Sequence, residues 1–360
     1  MKIVIGGDLS VMEDCHQVFE SADYKTAFTD VMEVMKASDY TIVNLECPIT
    51  ESTNEIKKFG PCLKSPIGTA EALKMAGVTH CALSNNHILD FGKEGIRDTL
   101  AQLDKYGIGY TGFGKDREDA RRDLIITDGK IKVAVINVCE HEYSYALDNR
   151  MGAREYDPYD TMDDITEAKK KADYVVVLYH GGKEYCPYPS KRLYKLCHSM
   201  VKRGADAVLC QHSHCIGCYE EYMGGHILYG QGNFHFVCER WSSKDADGGK
   251  AWNTGLLVSL DFDNGCSLEL IPVLAEKKGI RLAKGNEKAE ILSEIRERSI
   301  CLKDGSYVEK FADFCKTVED VYGFIPENIR DLFCHYLDCE AHTDVWRELY
   351  KTWNHTNELE

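Results

Sequence analysis

No run of about 18 apolar residues occurs anywhere in the 360-residue chain, so no transmembrane helix is expected. Nor do the first residues, Met1-Lys2-Ile3-Val4-Ile5-Gly6-Gly7-Asp8, carry the long apolar core of an export signal; they read as a buried strand. Together these absences predict a cytoplasmic protein with no membrane anchor. Positive charge is also short. Against 59 Asp and Glu stand 43 Lys and Arg, a net −16, and such a surface repels duplexes and anionic membranes on average. No nucleic-acid partner is therefore expected. Internal repeats are missing, as is any low-complexity tract long enough for a linker. The 16 cysteines are only about 4% of the chain, below the range of a disulfide scaffold. Reduced, buried thiols are expected instead. Cys215-x-x-Cys218 has redox- or zinc-like spacing, but no second CxxC accompanies it.

What is present is globular. Hydrophobic residues make up 44% and charged residues 28%, ample for a sizeable core in one large domain or two ordinary ones. Short β-branched runs predict strands near 2–6, 40–45, 79–84, 124–127, 132–138, 174–179, 207–210, 226–229, 254–262 and 267–273. Helical patterns fall near 28–37, 69–76, 94–106, 163–172 and 191–203, and Gly77, Gly107 and Gly204 follow three of them as C-caps should. This alternation predicts an α/β fold with an antiparallel meander after Ala207. Near Lys277 the character changes. From about 287 onward four amphipathic helix patterns follow, with Gly305 and Pro326 as breaks. The expected division is an α/β domain over 1–280 and a helical appendage over 281–360. His335, His342, Cys334 and Cys339 are the appendage's only possible ligands, and their spacing reads as incidental.

Five polar clusters share one placement, the C-terminal end of a predicted strand. They are Gly7-Asp8, Asn44-Leu45-Glu46, Asn85-Asn86-His87, His180-Gly181-Gly182 and His212-Ser213-His214. In open α/β sheets ligands bind at those ends. Singly, each cluster has an ordinary reading as a turn former, a cap or a core histidine. Jointly they form a metal-binding constellation, and mixed oxygen and imidazole ligands suit Mn, Fe or Zn better than Ca or Mg.

The order Gly-Asp, Asn-Leu-Glu-Cys-Pro, Asn-Asn-His-x-x-Asp-x-Gly over residues 85–92, His-Gly-Gly-x-Glu-Tyr over 180–185, His212-Ser213-His214 and Gly230-Gln231-Gly232-Asn233-Phe234 resembles the CapA family. These are the poly-gamma-glutamate capsule-synthesis proteins, a branch of the calcineurin-like metallophosphoesterases. The resemblance runs from about 2 to 273 and leaves the helical tail out. It implies a four-layer α/β/β/α sandwich and two divalent metal ions that activate water. Asp8 would hold the first metal, Glu46 would bridge, Asn86, His180 and His212 would hold the second, and His214 would return to the first. His87 would stay off the metals as a catalytic group, with Asp90 as its orienting partner if their segment forms a turn.

Departures qualify that assignment. Where the superfamily reads Asp-x-His, this chain reads Asp8-Leu9-Ser10, so the first metal loses an imidazole and the second site is the better furnished. Gln211 also replaces a glycine before His212. The implied activity is a metal-dependent phosphoesterase working on a small-molecule or oligomeric anionic substrate, with Lys64, Lys183 and Arg240 as possible helpers. Tyr143, Tyr145, Tyr185, Tyr188 and Trp241 are possible pocket aromatics. Two rivals stay open: action on poly-gamma-glutamate amide bonds, and a non-catalytic ligand-binding member.

Overall fold

In the computed structural model, which describes residues 1–58, 60–140, 143–242, 249–319, 333, 335–337 and 339–353, the β-branched runs pair into two main sheets. The larger runs, edge to edge, through Gly279–Leu282, Ser267–Glu276, Thr254–Asp261, Lys2–Leu9, Tyr40–Leu45, His80–Ala82 and Gly109–Thr111. Its last four strands are parallel, whereas Thr254–Asp261 joins Lys2–Leu9 antiparallel. The smaller sheet runs Tyr219–Tyr222, Gly225–Leu228, Ala207–Gln211, Tyr174–His180, Lys132–Cys139 and Leu124–Thr127, with a parallel centre.

Side chains alternate across a strand, and here both faces of each sheet are apolar. Ile3, Ile5, Ile42 and Ala82 of the larger sheet meet Val133, Val135, Val176, Leu178 and Leu209 of the smaller. Val4, Val43 and Cys81 point the other way, onto helices that bring Phe28, Met35, Leu73 and Ile96. On the far side, Ile136, Val138, Val175 and Val177 bury against Ile165, Leu196 and Met200 of helices Asp160–Lys171 and Lys191–Lys202. The result is the expected helix, sheet, sheet, helix sandwich. Each fully buried aliphatic is worth roughly 1.5–3 kcal/mol, and a one-residue slip of Lys2–Leu9 would swap its two faces.

The helix expected over 28–37 is two pieces, Tyr24–Phe28 and Val31–Lys36. Between them Thr29 adopts φ 34°, and its hydroxyl donates to the carbonyl of Ile280 at 2.6 Å. That tertiary bond overrides the local periodicity. The tail packs on the body. Helix Gly285–Asp304 lies against Tyr219–Tyr222 and Ser267–Glu276, placing Ile291 and Ile295 in the core between the sheets. It ends at Gly305 with φ 81°, a left-handed cap that glycine adopts without a Cβ clash. Helices Tyr307–Thr317 and Glu340–Trp353 then share a cluster of Phe311, Cys315, Val345 and Leu349. Pro326, Cys334 and the Trp241 side chain lie outside the described residues. No disulfide joins the described cysteines, and no described helix is long and apolar enough to cross a membrane. Cys218 Sγ packs 3.9 Å from Cys301 Sγ, which accounts for half of the CxxC pair as core.

One buried group makes the fold acid-sensitive. His235 packs between Phe19 and Phe28, with ring centroids 4.9 and 5.5 Å away, and is fully buried. Burial pushes its pKa down to about 4. The unfolded chain takes up this proton near pH 6.5, so the contribution is intact above that pH and lost as pH falls towards 4. By pH 5 the loss is about 2 kcal/mol. His235→Phe should be at least as stable at pH 7.5 and lose correspondingly less on acidification. Urea unfolding at both pH values measures this; an unchanged acid loss would contradict it.

Candidate metal centre

The parallel strands of both sheets deliver their C-terminal ends to one rim. Asp8 lies in Lys2–Leu9, where the ladder to Tyr40–Leu45 shifts register, and Glu46 follows Tyr40–Leu45 directly. Asn86, His87 and Asp90 occupy the turn after His80–Ala82; His180 ends Tyr174–His180; His212 and His214 follow Ala207–Gln211. All eight are buried.

Six of them converge. From Glu46 Oε1, His180 Nε2 is 3.4 Å away, His214 Nε2 3.9 Å and His212 Nδ1 4.0 Å. Asp8 lies 3.6 Å from His214 Nδ1 and 3.8 Å from His180 Nδ1, and Asn86 Oδ1 is 2.9 Å from His180 Nε2. Two triads, Asp8-Glu46-His180 and Glu46-His212-His214, each bring their ligand atoms within 4.8 Å of one another, and Glu46 belongs to both. Both Glu46 carboxylate oxygens are buried, with no hydrogen-bond partner among the described residues. Burial, and the Asp8 carboxylate beside it, raise the Glu46 pKa well above the usual range. Burial alone would lower His214, but the Glu46 and Asp8 carboxylates outweigh it and raise its pKa. An orphaned buried carboxylate among three imidazoles is costly for protein alone and fits a divalent cation.

Neighbouring groups hold the cluster in shape. Asn44 Nδ2 donates to Asp8 Oδ1 at 2.7 Å and lies 3.1 Å from His180 Nδ1. Asp8 Oδ2 accepts the backbone N–H of His212 at 2.9 Å, and His214 Nδ1 sits 2.9 Å from Asn233 Oδ1. His212 and His214 take φ 84° and 51°, a strained region for residues with a Cβ that recurs at ligand sites. Ser10 does not join: its hydroxyl turns to Cys47 Sγ at 3.3 Å.

His87 and Asp90 form a separate pair on the rim, His87 Nδ1 lying 2.6 Å from Asp90 Oδ2. Lys58, which sequence reasoning passed over, donates to Asp90 Oδ1 at 2.5 Å and lies 3.1 Å from His87 Nδ1. Lys64 is used elsewhere, donating to the Ser52 carbonyl at 2.7 Å, and Lys183 lies 4.0 Å from its neighbour Glu184. Arg240 lies in the short helix Glu239–Ser242. Beyond Leu89 a groove of about 500 Å³ is lined by Lys57, Lys93, Arg150, Tyr143 and Tyr145, with no acidic residue among its described lining. Tyr185 lies near His214 at 6.3 Å between centroids, while Tyr188 packs under Lys310 of the tail. Trp252, at 5.0 Å from the His214 ring, was not expected there.

Comparison with known proteins places the chain among relatives. The CapA proteins of PGA biosynthesis in Bacillus subtilis (strain 168) and of capsule biosynthesis in Bacillus anthracis are each 30% identical to this chain, over 234 and 239 residues, or 64% of it. The chain spans 62% and 58% of their lengths. A 5'-nucleotidase precursor from Thermus thermophilus aligns with TM-score 0.44 and 13% identity, covering 84% of this chain and 59% of that one. The family described as "Bacterial capsule synthesis protein PGA_cap" matches residues 2–237, well over half of the chain, and the protein belongs to that family.

Proposed function

We propose that this protein is a metal-dependent hydrolase acting on a phosphoester. The observation that carries the reading is Glu46: a fully buried carboxylate whose two oxygens have no hydrogen-bond partner among the described residues, ringed by His180, His212 and His214. Divalent ions fit that demand. As the family resemblance implies, Asp8, Glu46 and His214 would hold one, Asp8 lying 3.6 Å from His214, and Glu46, Asn86, His180 and His212 the other, Asn86 lying 2.9 Å from His180. The two triads instead group His180 with Asp8 and His212 with His214, since His180 borders both positions. Such ions supply positive charge for phosphoryl oxygens and activate water near neutral pH. The chain's own groups do the rest. Asp90 accepts from His87 Nδ1–H and from Lys58, which fixes the imidazole; as the imidazolium, His87 would give its Nε2 proton to the leaving oxygen and return to the Nδ1–H tautomer. Lys57, Lys93 and Arg150 in the adjacent groove attract an anionic substrate despite the overall negative charge.

That same groove favours one rival, hydrolysis or transfer at amide bonds of a polycarboxylate chain, and the names of the Bacillus relatives point there too. The deciding experiment pairs p-nitrophenyl phosphate with gamma-linked glutamate oligomers, each with Mn²⁺ and after chelation. Chelator-sensitive phosphate release is the expected result. Oligomer cleavage without phosphate release would replace this reading with the rival, and no turnover of either would leave a ligand-binding role.

A further inference from the structure

We propose that the C-terminal helix Glu340–Trp353 positions the turn that follows His180, acting through Asp344, Arg192 and Glu140. Glu140 grips the His180 peptide from both sides. Its backbone N–H donates to the His180 carbonyl at 2.9 Å, and its Oε2 accepts the Gly182 N–H at 3.1 Å. The fit is close: a Cβ on Gly181 would come within 2.5 Å of Glu140 Cγ, and Gly182 takes φ 100°. Glu140 is buried, and burial would raise its pKa, yet Arg192 beside it lowers the pKa below the usual value.

Arg192 spreads its guanidinium over three partners. Nη2 donates to Glu140 Oε1, Nη1 to the Tyr179 hydroxyl at 3.4 Å, and Nε to Asp344 Oδ2 at 2.9 Å. Asp344 also accepts the Ser190 hydroxyl at 2.5 Å, and Ser190 caps the helix that carries Arg192. A single tail carboxylate therefore fixes both the cap and the guanidinium. Without it, Arg192 loses the anchor that aims it at Glu140, and Glu140 its hold on Gly182. Buried ion networks of this kind are weak sources of stability, because desolvation offsets the attraction. The tail lies beyond residue 237, where the family match ends, so a segment outside that match secures a turn inside it.

Asp344→Ala and Asp344→Asn in the full-length protein test the inference. One readout is amide exchange over 181–185 in metal-free protein, and the other is Mn²⁺ titration. The titration rests on the metal reading above; the exchange does not. Asp344→Ala should raise exchange over 181–185 while leaving strand 132–139 protected. It should also weaken Mn²⁺ binding by about tenfold, the low end for partners beyond the ligands themselves. Asn keeps an acceptor for Arg192 and Ser190, so Asp344→Asn should stay close to the parent protein. Unchanged exchange over 181–185 in Asp344→Ala, or exchange rising equally over 132–139, would overturn the inference. If the parent protein takes up no Mn²⁺, the metal reading fails and the exchange result alone decides this one.

Discussion

His87→Ala is expected to cut turnover of an aryl phosphate by about 10²–10⁴-fold, the loss typical of a removed general acid, with bound metal unchanged. The separation of effects follows from geometry. The described partners of His87 Nδ1 are Asp90 at 2.6 Å and Lys58 at 3.1 Å, whereas His180, His212 and His214 lie within 4.0 Å of Glu46. A carboxylate only accepts hydrogen bonds, so Asp90 accepts one from Nδ1–H and sets the tautomer. Steady-state kinetics with elemental analysis on the same preparations reads both quantities. Metal loss in His87→Ala would make it a ligand rather than a catalytic group.

The second large effect is an expected asymmetry between the two proposed metal positions. His180→Ala should remove metal more completely than Asp8→Ala does. His180 touches four groups at once: Glu46 at 3.4 Å, Asn86 at 2.9 Å, Asn44 at 3.1 Å and Asp8 at 3.8 Å. Losing it should weaken Mn²⁺ by more than about 100-fold, beyond the range for outer partners. Asp8 would serve the proposed position that is short of a ligand, where Ser10 is turned away to Cys47 at 3.3 Å. Asp8→Ala should therefore keep its tighter ion. Calorimetric Mn²⁺ titration of both variants checks this, and equal loss in the two would refute the asymmetry.

The strand ends were legible in the sequence for a physical reason. An apolar run that stops at Asp, Glu, Asn or His announces both a buried strand and what it delivers, and parallel strands deliver it to the same rim. The His87–Asp90 contact was readable from spacing, since three residues span one turn. Lys58 was not, because it lies in a coil segment without periodicity, 32 residues before its partner Asp90. Asn233 stood in the quoted Gly-x-Gly-Asn-Phe motif, but its role was hidden by brevity: Asn233–His235 is a three-residue strand, and its pairing sets Asn233 opposite Asp8. Asp344 lies 152 residues from Arg192 in sequence, and only the packed tail brings them together. The break at Thr29 likewise depends on a bond to Ile280, 251 residues away.

The account stands or falls on whether the Glu46 cluster binds metal. The most direct measurement is elemental analysis of protein purified without chelator, followed by Mn²⁺ titration, with Glu46→Ala treated identically. The parent protein should carry or take up roughly one or more equivalents of Mn, Fe or Zn per chain, and Glu46→Ala should lose it while remaining folded. A parent protein that neither carries nor takes up a divalent ion, or a Glu46→Ala variant that binds as well, would contradict it.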